Sequence, residues 1–191
     1  TFAHTPKIND FAKGLKNLIS DDGVIIIEIH YLGSMINDTS FDTIYHEHFS
    51  YWSLENLINL FTKYGLNIFD ACLMSVHHGQ LRIYMSKSKK YKKSKLLDDL
   101  LKKEKNENLI GEKLSLFCKN VLDIKENLLD LFEKISKEGK KICGYGAPAK
   151  ASTLINFIGN NNLEFIYDKS KLKQGKYIPC LLYTSDAADE S

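Results

Sequence analysis

Apolar residues recur along this chain with two alternating periods, and the alternation predicts a mixed α/β fold. Ile8, Phe11, Leu15 and Leu18 stand at helical spacing, with Thr5 as the helix cap and Pro6 as the first helical residue. Asp21-Asp22-Gly23 breaks that helix. Residues 24–29 form a nearly continuous β-branched run, the pattern of a strand buried on both faces of an α/β sheet. A loop follows, from His30 to about Ser50. Ser53 then caps a helix with Leu54, Leu57, Ile58 and Phe61 on its apolar face, and Gly65 ends it. Residues 66–74 and 80–85 read as two strands joined across His77-His78-Gly79.

The second half repeats the alternation. The Lys-rich stretch 86–108 reads as a solvated helix and linker. Phe117, Val121, Ile124, Leu128, Leu131 and Ile135 alternate spacings of four and three, which predicts a long amphipathic helix packed on its own domain. A short strand over 141–144, a Gly-rich turn, a helix over 150–158 and a strand over 164–167 ending at Asp168 make a βαβ unit. Such a unit opens a second α/β domain.

Composition narrows the function classes. The 191 residues suffice for one large domain or two small ones, and 43% are hydrophobic, as in a globular protein. A net charge of +2 argues against a nucleic-acid or membrane surface. Arg82 is the chain's one arginine, so bidentate phosphate recognition has a single candidate. Cys72, Cys118, Cys143 and Cys180 lie far apart with no Cys-x-x-Cys pair; they read as reduced thiols of a cytoplasmic protein's core. No apolar run approaches the ~20 residues of a membrane span, and no signal peptide is present. The chain starts at Thr1 without Met and reads as a fragment. Residues 180–191 differ from everything before them and are set aside as a non-native tail.

Two segments carry chemistry. Tyr45-His46-Glu47-His48 sets four proton-carrying or proton-orienting side chains in a row. In an extended segment Tyr45 shares a face with Glu47 and His46 with His48; in a helical turn Tyr45 meets His48. Either way carboxylate and imidazole can tune one another. Satisfaction of loop backbone and an N/O metal site built with His4, His77 and His78 are the competing readings of this cluster; no metal is assigned to it. The second segment, Gly144-Tyr145-Gly146-Ala147-Pro148-Ala149-Lys150, opens a helix after a strand and offers backbone N–H groups to an anion. With Asp168 at the place of a ribose-binding acid it fits a dinucleotide fingerprint. Gly144, Tyr145, Gly146, Ala147, Lys150 and Asp168 are therefore the candidate binding residues for a nucleotide or nucleotide-sugar.

The stretch from Phe41 through Tyr45-His46-Glu47-His48 to Tyr51 closely resembles the signature of the sugar C-methyltransferases. The resemblance extends to Phe2-Ala3-His4-Thr5-Pro6, Gly79-Gln80-Leu81-Arg82, the Gly-rich turn and Lys173-Gln174-Gly175-Lys176-Tyr177-Ile178-Pro179. It implies an S-adenosylmethionine-dependent enzyme that methylates a carbon of a nucleotide-linked 4-keto-deoxyhexose. It also implies His48 as base, Tyr45 and Glu47 as its partners, and His4 as a further active-site histidine. Zinc is expected only in an N-terminal module that this chain lacks. The implied organisation is the C-terminal part of a class I, Rossmann-like methyltransferase domain over 1–88 and a helical linker over 89–138. The start of a Rossmann-like nucleotide-sugar-binding domain follows over 139–179, and the tail over 180–191. A nicotinamide-dependent nucleotide-sugar oxidoreductase and a non-catalytic nucleotide-sugar-binding module are the alternatives.

Overall fold

A computed structural model describes residues 1–75, 79–159, 163–178 and 182–185. The expected strand junction at His77-His78 lies outside these residues. The protein is mixed α/β and divides into two compact units, one of residues 1–41 and 46–117, the other of 42–45 and 118–191.

The first unit contains α1 (Ile8–Leu18), β1 (Ile25–His30), α2 (Leu32–Asn37), α3 (Leu54–Lys63), β2 (Asn67–Met74), β3 (Gln80–Ser86) and α4 (Lys95–Asn106). Its sheet has the order β1-β3-β2, antiparallel at both junctions. Helix α3 forms as its sequence dictates. Ser53 Oγ accepts from the Asn56 N–H at 3.2 Å, and Gly65 follows the helix at φ +73°, a conformation that costs glycine little. Leu54, Leu57 and Phe61 of α3 are fully buried with Leu66, Leu81, Ile83, Met85 and Leu97. Each such side chain contributes about 1.5–3 kcal/mol by leaving water.

Four expectations are corrected here. Helix α1 begins at Ile8, because Thr5 instead accepts from the Lys7 N–H at 3.4 Å, in the turn ahead of the helix. Strand β1 is not buried on both faces. Ile25, Ile27 and Ile29 pack on the core with α1, α3 and α4, whereas Ile26 is 58% exposed. The Lys-rich stretch is not solvated throughout: Leu97 and Leu100 of α4 are buried in the first unit's core. Finally, Cys118 and Cys143 are exposed and Cys72 is half-buried; all three are free thiols, but none is a core residue.

Helix α5 (Leu114–Lys137) carries buried Phe117 in its first turn, and its residues from Cys118 on belong to the second unit. There β4 (Ile142–Tyr145), α6 (Ala149–Ile158) and β5 (Leu163–Tyr167) form the expected βαβ unit, with β4 and β5 parallel. Two further strands complete a sheet of order β4-β5-β7-β6: β6 (Tyr177–Ile178) and β7 (Leu182–Ser185). Strand β7, within the stretch that the sequence reading sets aside, pairs parallel with β5.

Candidate active site

Three segments distant in sequence converge in the first unit because aromatic packing and backbone bonds pin them. Phe2, 4% exposed, lies in a 3-10 turn and packs its ring 5.5 Å from Phe11, 5.6 Å from Trp52 and 5.8 Å from Phe61. The Phe49 N–H donates to the Ala3 carbonyl at 2.9 Å, tying this turn to the segment that carries His48. The same segment is tied to the end of β1, where the Leu32 N–H donates to the Trp52 carbonyl at 3.0 Å and Tyr31 bridges to Trp52.

His4, His30 and His48 are thereby brought together. The His48 ring centroid lies 5.0 Å from His4 and 5.2 Å from His30, at interplanar angles of 73° and 51°. Tyr51 is next, at 6.2 Å. Gln80, buried at the start of β3, places its amide nitrogen 2.9 Å from His30 Nδ1. A cluster of neighbouring imidazoles can take a proton from a bound molecule and hand it on without bulk water. The sequence reading named His4 and His48 but missed His30 and Gln80.

The other members of the Tyr-His-Glu-His run are placed differently. His46 and Glu47 are exposed, and Glu47 makes no hydrogen bond or ion pair among the described residues. Tyr45 is half-buried and groups with the second unit. Among the described residues no group of three or more His, Cys, Asp or Glu is arranged to hold a metal ion; His77 and His78 of the metal reading lie outside them. The one arginine is engaged within the first unit. Arg82 donates through Nε and Nη2 to Glu28 Oε2 at 2.9 and 2.7 Å, across directly paired positions of β3 and β1.

In the second unit the Gly-rich turn is closed by its own acid. Gly144 sits where a Cβ would press on the Ile166 side chain at 2.8 Å, and Gly146 has φ +87°, so both positions need glycine. Asp168 Oδ2 accepts from the Ala147 N–H at 2.7 Å and Oδ1 from the Ser170 N–H at 2.8 Å. These bonds, Ser170 first, hold its carboxyl below the usual range, with Lys173 adding to them. Lys173 Nζ also donates to the Ala147 carbonyl at 2.8 Å. One N–H of the expected anion cradle is thus committed to Asp168. Tyr145 is 68% exposed, Lys150 pairs with Asp42 at 3.3 Å, and no side chain caps the first turn of α6.

The family model described as the C-methyltransferase C-terminal domain matches residues 75–183. The chain belongs to this C-methyltransferase family. Among its relatives is the C-methyltransferase NovU of Streptomyces niveus, 31% identical over 182 residues, which are 93% of this chain and 43% of NovU. The chain therefore spans less than half the length of that relative. His4, His30 and His48 lie ahead of the residues matched by the family model, whereas Gln80 and the whole Gly-rich turn lie within them.

Proposed function

We propose that this chain carries the proton-abstracting part of an enzyme that methylates a carbon beside the ketone of a nucleotide-linked 4-keto-deoxyhexose. The observation that carries the reading is the His48 ring set against His4 and His30 at about the same separation, 5.0 and 5.2 Å. His48 takes the proton from the carbon next to the carbonyl, and the C–H electron pair moves to the carbonyl oxygen as an enolate. A C–H acid of pKa about 20 stands about 13 units above free imidazole, a gap of roughly 18 kcal/mol. One well-aimed donor to the enolate oxygen contributes about 3–4 kcal/mol, and alignment of the reacting groups about 7–11. More than one donor is therefore required. His4, in ring contact with His48, is the first; Tyr45 keeps the part of second donor on its place in the Tyr-His-Glu-His run alone. Glu47 keeps the part of orienting His48 on adjacency in sequence alone.

The methyl donor in this reading is S-adenosylmethionine, whose sulfonium supplies an electrophilic methyl group. The described residues do not fit it. Gly33, at the β1–α2 turn, is filled by the Tyr31 ring, and the Gly-rich turn gives its Ala147 N–H to Asp168. We assign the two units to the C-terminal part of a class I methyltransferase fold and to a Rossmann-like domain that holds the substrate's nucleotide near Gly144, Tyr145, Gly146 and Lys150. The three free thiols suit a cytoplasmic setting.

The test is exchange of the sugar's α-proton in D2O, followed by NMR. The full-length protein that carries this chain is mixed with thymidine diphosphate 4-keto-6-deoxyglucose. His48→Asn is expected to stop exchange while calorimetric binding of the sugar nucleotide is retained. Exchange at the parent rate in His48→Asn refutes the assignment.

A further inference from the structure

We infer that Gln80 and His30 form a positioning pair, in which the buried amide fixes the tautomer of the imidazole that stands against His48. The inference deepens the reading of the histidine cluster as a proton-transfer site and rests on it for its catalytic consequence. The pair is built by strand register. His30, the last residue of β1, lies directly opposite Gln80, the first of β3. The Gln80 side chain is held there, 7% exposed, just after Gly79. Gly79 in turn has φ +92° and packs so closely on Ser34 that a Cβ would overlap its side chain.

The chemistry of the contact follows from donor and acceptor counting. An amide nitrogen carries only hydrogens to give, so the ring nitrogen 2.9 Å from Gln80 Nε2 must present a lone pair. Nδ1 of His30 is therefore the acceptor, and the ring proton of the neutral imidazole resides on Nε2. A proton on Nδ1 would set N–H against N–H in a part-buried place and forfeit this hydrogen bond. The amide thus holds His30 in one tautomer and one plane. His48, with its ring centroid 5.2 Å away, then works beside a ring of defined tautomer and orientation. His30 is accordingly a positioning residue, acting through His48, and Gln80 acts through His30.

Two measurements test this separately. The first uses this chain alone, labelled with 15N-histidine, and reads the tautomer of His30 from its ring-nitrogen shifts. The expected result is an unprotonated Nδ1 and a protonated Nε2. Gln80→Glu, which replaces the donor by an acceptor of the same shape, should transfer the proton to Nδ1, and Gln80→Met should leave a mixture. A wild-type ring protonated on Nδ1 overturns the pair whatever the variants do. The second uses the full-length protein and the exchange of thymidine diphosphate 4-keto-6-deoxyglucose in D2O. Gln80→Glu is expected to lower kcat for exchange roughly 10- to 100-fold, the scale of a misoriented catalytic group, with KM nearly unchanged. Unaltered kcat in a variant whose His30 tautomer has moved overturns the positioning role. Absence of exchange in the wild type overturns the proton-transfer reading instead, and the tautomer result then still decides the Gln80–His30 pair.

Discussion

Replacing Glu104 by Gln should cost the first unit more stability than any single exposed salt bridge could. Glu104 lies on α4 and is 6% exposed, yet it serves α3. Its Oε1 accepts from the Leu54 N–H at 2.7 Å and its Oε2 from the Glu55 N–H at 3.1 Å. Those are the first two donors of α3, and Ser53 takes the next through Asn56. The buried Tyr31 hydroxyl also donates to this carboxylate, and burial first, then the Glu104 charge, push its ionisation up so that it stays neutral. In Glu104→Gln one oxygen remains to accept, while the new NH2 confronts a backbone N–H. The loss is one charge-assisted hydrogen bond, about 1.5–3 kcal/mol, plus about 0.3–1 kcal/mol of attraction between carboxylate and helix N-terminus. The expected destabilisation is thus about 2–4 kcal/mol, against about 0.5–2 kcal/mol for Ser53→Ala. Trp52, the only tryptophan, packs on Phe2 in the same unit, so its fluorescence follows unfolding of this unit in urea. Hydrogen exchange at the Leu54 and Glu55 amides gives the local reading. A loss below about 0.5 kcal/mol with unchanged protection at Leu54 would refute the cap.

Two further outcomes are expected. The Asp168 carboxyl titrates below its ordinary value in the folded chain, so its stabilising bonds are complete above the unfolded carboxylate value and are lost as pH falls through the lowered folded value. Below about pH 4 the amide signals of Ala147 and Ser170 should move and exchange faster, and Asp168→Asn should abolish that step; a step retained in Asp168→Asn contradicts the clamp. Gly79→Ala should destabilise the first unit by at least the roughly 1–3 kcal/mol of a strained φ, with overlap on Ser34 added. Ser34→Gly in the same chain should recover the overlap part only; full recovery to wild-type stability in urea would show that φ +92° is not a constraint.

The sequence declared its elements wherever the signal is local. Ser53 and Gly65 bracket α3 by capping chemistry, and the Gly-rich turn announces β4-α6-β5 because glycine is needed at Gly144 and Gly146. What it declares only faintly is which faces are covered. The run 24–29 is apolar at five of its six positions, and Glu28, on the face of Val24 and Ile26, is the one residue in it that says Ile26 faces outward while Ile27 packs on the core. In α4 the opposite error arises, since lysines dominate the composition while Leu97, Leu100 and the carboxylate of Glu104 lie on the buried side. Composition averages over a helix; burial selects a stripe of it.

The candidate site was half legible for a related reason. His4 and His48 were reached through motif resemblance, but His30 and Gln80 are fifty residues apart and carry no mutual signal except register. That register was available. The apolar strands at 25–30 and 80–86 each hold one charged residue, Glu28 and Arg82, and opposite charges favour directly facing positions on an antiparallel pair. Once Glu28 faces Arg82, moving two residues on along β1 and two back along β3 sets His30 opposite Gln80 on the same face of the sheet. The salt bridge of the chain's one arginine is exposed and contributes little stability. Its consequence is positional: a one-residue slip would turn Gln80 to the other face, remove the donor from His30 Nδ1, and leave the ring beside His48 without a fixed tautomer.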